Sequence, residues 1–184
     1  CNQANYGMIQ MKQVATCVVA GLLLFATPLL AVEIKGVTVP NKVSIETVDR
    51  ELLLNGAGIR KKFFVSVYIG ALYLTEKSDA AEKIIDAEQP KRVAMHFLYD
   101  EVEAKKLQEG WREGFEENVS EKEFQRLSER LETFNGYFGD AVKGDVVILD
   151  YFPGIGTRVS INSEVKGTGQ GPASNRPLRQ VCVG

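Results

Sequence analysis

The sequence predicts an α+β protein, an antiparallel β-sheet with helices packed on one face. Three observations lead there. Strand-like stretches come first, helices follow and a hairpin comes last, an order that suits α+β folds rather than alternating α/β chains. The stretch Leu52 to Leu74 is the longest β-prone run, and from Phe63 onward it is largely apolar at both strand parities. Two charged segments, Glu103 to Asn118 and the one opened by Ser120, carry apolar stripes at helical spacing.

The N-terminal stretch stands apart from the fold. Met11-Lys12 followed by the apolar run Val14 to Leu30 reads as a secretory signal, with cleavage after Ala31. An uncleaved anchor is the alternative, because the run is nearly long enough to span a bilayer. Residues 1–31 are therefore expected to be a leader and signal peptide, and residues 32–184 a single domain. Removing the leader leaves Cys182 as the one thiol, so an exported product would have no internal disulfide. The expected location is exported, periplasmic.

Along the domain, Val32 to Val39 and Val43 to Thr47 alternate well enough for two strands around Pro40-Asn41. Asn55 to Gly58 supplies the permissive residues of a turn or bulge, and one strand is expected from Phe63 through Leu74. Ser78 or Asp79 is expected to cap a short helix, AAEKIIDA, which Gln89-Pro90 ends. Arg92 to Tyr99 reads as another strand. In the first long helix Leu107, Trp111, Gly114 and Phe115 form one stripe. Ser120 and Glu123 form a capping box for the next, which buries Phe124, Leu127, Leu131, Phe134 and Phe138. Val146 to Phe152 and Thr157 to Ile161 are hairpin partners, and Asn162-Ser163 turns into a last strand, Glu164 to Gly167. The tail from Thr168 is rich in Gly, Pro, Ser and Asn and has no clear period.

Several function classes find no support. A formal net charge of -2 gives no basic footprint for nucleic acid. His96 is the single histidine, so no metal site or Ser-His-Asp grouping can be placed around it, and no cofactor is expected. GIGTR lacks the length and the lysine of a phosphate loop. The residue that stands out is Arg60, where a polar turn meets an apolar strand. Taken alone, with Lys61 and Lys62 behind it, it is a solvated basic hairpin; the alternative is a guanidinium facing a cleft and an anion. Trp111 and Phe115 are core residues or a cleft wall, and Asn118 is a helix terminus or a polar contact.

NGAGIRKKFFVSVYIGALYL, the later KGDVVILDYFPGIGTRVSIN and the signal-like leader together resemble the secreted bacterial branch of the chalcone isomerase fold, over roughly Val32 to Thr168. The resemblance implies an open-faced β-sandwich, a large antiparallel sheet under a layer of helices, with a ligand cleft between them. It places the family's essential arginine on Arg60 and its threonine on Val67, which has no hydroxyl. The family's helical tyrosine and asparagine fall on Trp111 and Asn118, keeping the amide and replacing the phenol; another gap placement uses Ala104 and Trp111 and keeps neither. The family's closing amphipathic helix is broken here by Pro172 and Pro177.

These departures favour the non-catalytic members, which bind fatty acids through the arginine and an apolar cleft. The expected function is thus binding of a fatty acid or similar amphipathic carboxylate, with Arg60, Val67, Trp111, Phe115 and Asn118 as ligand-binding residues. The alternative is a chalcone isomerase-type isomerase in which Arg60 holds a phenolate and Tyr68, Tyr73 or Tyr99 replaces the missing hydroxyls. A ligand-free interaction module of the cell envelope is the third reading. No nucleic acid or metal partner is expected, and membrane contact only through an uncleaved signal.

Overall fold

The computed structural model describes residues 31–45 and 48–170. Its centre is a seven-stranded antiparallel sheet that curls into a half-barrel. The order is β11-β10-β9-β6-β5-β4-β3, with β3 Lys42–Ile45, β4 Arg50–Lys62, β5 Val65–Leu74, β6 Lys91–Phe97, β9 Val146–Phe152, β10 Gly156–Ile161 and β11 Glu164–Gln170. The fold is the expected α+β, open-faced arrangement. The signal-peptide and closing-helix readings lie outside the described residues.

Two hairpins correct the sequence reading, one in a separate two-stranded sheet and one within the seven-stranded sheet. Val32 to Val39 is not one strand but a hairpin, β1 Ala31–Ile34 against β2 Val37–Pro40. Lys35 and Gly36 both take positive φ, 50° and 76°, as a two-residue primed turn requires. The larger correction concerns the central stretch. Of the turn or bulge expected at Asn55 to Gly58 it is the bulge that forms, between Leu54 and Gly56; β4 continues to Lys62 and the turn falls at Phe63-Phe64. Alternation around Gly56 and Gly58 was hidden because a glycine contributes no side chain to either face. The last hairpin is as expected, with Asn162 and Ser163 at φ 50° and 70°, and β11 continues past Gly167 to Gln170.

Helix α1 spans Ala81–Asp86; its N-cap is Ala80 with no capping side chain, and the Ser78 hydroxyl instead accepts the Ala80 N–H at 3.2 Å. Helix α2 spans Ala104–Asn118 and α3 Glu121–Asn135, where Ser120 accepts the Glu123 N–H as the capping box predicts. A two-residue bridge absent from the sequence reading, β7 Glu101–Val102 with β8 Ala141–Val142, ties the entry of α2 to the exit of α3.

Strand parity sorts the sheet into two cores. On one face, α2 and α3 press Trp111, Phe115, Leu131, Phe134 and Phe138 onto Met95, Phe97, Val147, Leu149 and Val159. On the other face the curl of the sheet and the β1–β2 hairpin enclose Val39, Ile45, Leu52, Ile69, Ala71, Tyr73 and Phe152. The apolar composition of β5 predicts cover on both faces, but only this second face is fully buried, at Ile69, Ala71 and Tyr73; on the helix side Tyr68, Gly70 and Leu72 are half-buried.

The second face also holds a buried charge cluster. Asp150 is 1% exposed. Arg92, its cross-strand partner on β6, grips it with two bonds of 2.6 and 2.9 Å, and Arg158, its partner on β10, donates at 3.0 Å. Arg158 also stacks on Phe152, 4.9 Å from the ring centre. Beside Arg92 in the same register, Tyr73 has its phenol pKa raised by burial, an effect the guanidinium partly opposes.

His96 faces the same side and its buried Nε2 has no hydrogen-bond partner among the described residues. Burial lowers its pKa from the ordinary 6.5. Below about pH 6.5 the unfolded chain therefore binds a proton that the folded chain refuses, and stability falls as pH drops toward the lowered value. Urea titrations from neutral to mildly acidic pH should show this loss in the wild type and a smaller one in His96→Gln. Parallel curves would remove the histidine from the account.

Candidate functional site: a glycine-floored groove

The helices do not cover the whole of their face. Their core reaches β6, β9 and β10 and the start of β5, and takes no residue from β4. On that uncovered part the sheet carries glycine where side chains would stand. In the β4–β5 register Gly58 is opposite Gly70, Gly56 opposite Leu72 and Arg60 opposite Tyr68, and all six point to the helix side. The result is a groove of about 220 Å³ lined by Asn55, Gly56, Gly58, Gly70, Leu72 and Val93.

The glycines make the groove. A β-carbon added at Gly56 or Gly58 would meet nothing within 4 Å, and at Gly70 it would touch only the Tyr68 ring, at 3.6 Å. None of the three needs positive φ, so turn geometry does not explain them. They leave room above the sheet. At one end Asn55 closes the groove: its amide donates to the Ser78 carbonyl at 3.0 Å, and its oxygen accepts the Ser78 N–H at 2.8 Å. Beyond the glycines at the other end stand Tyr68, packed 5.6 Å from Phe97, and Arg60.

Arg60 is exposed and, among the described residues, makes no ion pair or hydrogen bond through its side chain. It is thus an uncommitted cation beside the groove. Val67 is half-buried against the helix-side core, and its carbonyl accepts the N–H groups of Leu98 and Tyr99 at 2.9 and 3.3 Å. Trp111 and Phe115 are buried in the same core; Trp111 meets Phe134 edge-on at 5.2 Å and Phe138 at 5.7 Å. Asn118 is exposed at the end of α2, where its amide donates to the Gly114 carbonyl at 2.8 Å. The structure therefore gathers Val67, Trp111 and Phe115 into one apolar layer, sets Arg60 at the margin of that face, and leaves Asn118 apart.

Of the tyrosines considered as hydroxyl donors, Tyr68 alone shares the Arg60 face in direct register. Tyr73 is buried on the opposite face and Tyr99 is exposed beyond the end of β6. No group of three or more His, Cys, Asp or Glu side chains is placed to hold a metal among the described residues. The sequence reading missed the floor itself. Its signal was present as glycines at positions 56, 58 and 70, but their shared face depends on the register of a hairpin whose turn was misplaced.

The sequence matches the chalcone isomerase-like family over residues 31–181. The chain belongs to that family. Among solved structures, the fatty-acid binding protein AtFAP1 of Arabidopsis thaliana is similar in fold, with a TM-score of 0.60 at 13% identity, covering 74% of this chain and 86% of that one. No curated protein matches in sequence. In this chalcone isomerase-like chain the groove lies on the part of the sheet that the helices leave open and no helix residue lines it, whereas the sequence resemblance placed the ligand between the sheet and the helices.

Proposed function

We propose that this chalcone isomerase-like protein is an exported, non-catalytic binder of a fatty acid or similar amphipathic carboxylate. The observation that carries the reading is the alignment of Gly56, Gly58 and Gly70 with Arg60 on one face: a side-chain-free trough beside an uncommitted cation. The hydrocarbon chain lies on the glycine floor against Leu72 and Val93, gaining about 0.8 kcal/mol for each CH₂ removed from water. The carboxylate pairs with Arg60, a charge-assisted contact. Val67, Trp111 and Phe115 belong to the neighbouring helix-side core rather than to the trough's lining. The name of AtFAP1 supports the ligand class, and the Met11 to Leu30 pattern supports export.

The test is to purify the protein, extract it with solvent and identify what co-purified by mass spectrometry, then titrate a long-chain fatty acid. Arg60→Ala should weaken binding by roughly 10- to 100-fold, the effect of about 1.5–3 kcal/mol for a bond to a charged group. Gly58→Leu should abolish most of it, because the new side chain fills the trough while leaving both cores intact. A protein that binds no fatty acid, or binds it equally well as Gly58→Leu, overturns the reading. One observation favours isomerase chemistry second: Tyr68 stands opposite Arg60, so a phenol and a guanidinium flank one position. Cyclisation of an enone lost in Tyr68→Phe would decide for it.

A further inference from the structure

The turn that joins β4 to β5 is built from residues that neither core uses. Phe64 is 100% exposed, Phe63 87% and Val65 41%. Phe63 also holds φ at 56°, a left-handed conformation that bulky side chains rarely adopt. The other two tight hairpins fill their positive-φ positions with Lys35-Gly36 and Asn162-Ser163. Here the strain presents two aromatic rings to solvent.

Three cations collar the rings. Arg60, Lys61 and Lys62 are exposed, and among the described residues their side chains have no ion-pair or hydrogen-bond partner. The tip also projects. On one side β6 pairs with β5 only from Tyr68 opposite Phe97 onward, and on the other β3 pairs with β4 only between Arg50 and Leu53. The acids at this end, Asp100 and Glu101, follow β6 and so belong to the rim of the sheet rather than to the projecting turn. Tyr99, 46% exposed, stands on that rim, its N–H bonded to the Val67 carbonyl.

We propose that the Lys61–Val65 turn docks this protein on an anionic lipid bilayer, with Phe63 and Phe64 entering the interface and Lys61 and Lys62 meeting lipid phosphates. Charge complementarity selects the occupant: the chain is net negative, formally -2, yet Phe64 and Phe63, the most exposed large apolar side chains among the described residues, are flanked by cations. Shape agrees. A narrow two-stranded tip with paired rings is a wedge, far smaller than the roughly 800 Å² per partner of a stable protein interface. Rings at headgroup level with basic side chains reaching phosphate match the bilayer boundary. The docking stands whether or not the groove holds a fatty acid.

The experiment is flotation of the full chain with vesicles of phosphatidylcholine alone and of phosphatidylcholine mixed with phosphatidylglycerol. Binding is expected on the anionic vesicles, weaker on the neutral ones, and reduced by added salt. Lys61→Ala with Lys62→Ala should weaken it roughly 30-fold, at about 1 kcal/mol per lysine. Phe63→Ser with Phe64→Ser should cost about 10-fold or more, with thermal stability retained because both side chains lie outside the cores. Phe64→Trp should shift its emission to the blue on anionic vesicles only. Absence of wild-type binding to anionic vesicles overturns the proposal, as does equal binding by all variants. A wild-type dimer dispersed by the Phe63→Ser, Phe64→Ser pair would also overturn it, assigning the tip to a second copy. Fatty-acid affinity should be unchanged in the tip variants, which keeps failure of docking distinct from failure of the groove.

Discussion

Asp150→Ala is expected to lower unfolding free energy by about 3–5 kcal/mol, a large share of the 5–15 kcal/mol typical of a domain. The carboxylate is 1% exposed and is the common partner of Arg92 and Arg158, whose side chains are 14% and 24% exposed. Removing it leaves two guanidiniums facing each other with little access to water. Each loses its bond to Asp150 and keeps most of its desolvation. Replacing all three residues by apolar ones of similar volume should recover much of the loss, because the penalty lies in the uncompensated charge. Urea unfolding of the single and triple variants checks both statements. A single-variant loss below about 1 kcal/mol would show that water reaches the guanidiniums and that the cluster is not a buried one.

Trp111→Ala should cost about 3–5 kcal/mol, and Trp111→Phe distinctly less. The indole is 7% exposed and stands between Phe134 and Phe138, so alanine leaves a void bounded by aromatic rings from α3 and its exit. Fatty-acid affinity should change little beyond what the lowered stability imposes. The opposite pattern, a stable variant that no longer binds, would make Trp111 part of the ligand wall and reverse its place in the core.

The sequence was most legible where side chains alternate and least legible where they are missing. Ser120 with Glu123 announced α3, and the stripe Leu107, Trp111, Phe115 announced the buried side of α2, because these signals depend on neighbours in sequence. The primed turn at Asn162-Ser163 was legible for the same reason. Gly56 and Gly58 were read as a turn or bulge because glycine is common in both; the bulge is there, but both glycines also hold mid-strand positions that leave an empty space. Phe63 was read as strand because its chemistry is that of a strand; no local rule puts a phenylalanine at positive φ in a turn. The Asp150 cluster was invisible. Its partners lie 58 residues upstream and 8 downstream; the β9–β10 hairpin brings Arg158, but Arg92 arrives only through the pairing of β6 with β9.

That pairing divides the sheet in a way its final shape conceals. Strands β3 to β6 follow one another as neighbours, with α1 in the connection between β5 and β6, and so do β9 to β11. The two sets meet along one seam, His96 opposite Val146 at its near end, with α2 and α3 as the intervening chain. Closing a loop of about 50 residues costs roughly 3.5 kcal/mol of chain entropy beyond a constant, so the seam is the slow contact in assembly. The Arg92–Asp150 bond spans that seam. The two meanders can form early and separately, and the charge pair becomes a late fastening whose loss speeds the parting of the halves more than it slows their formation.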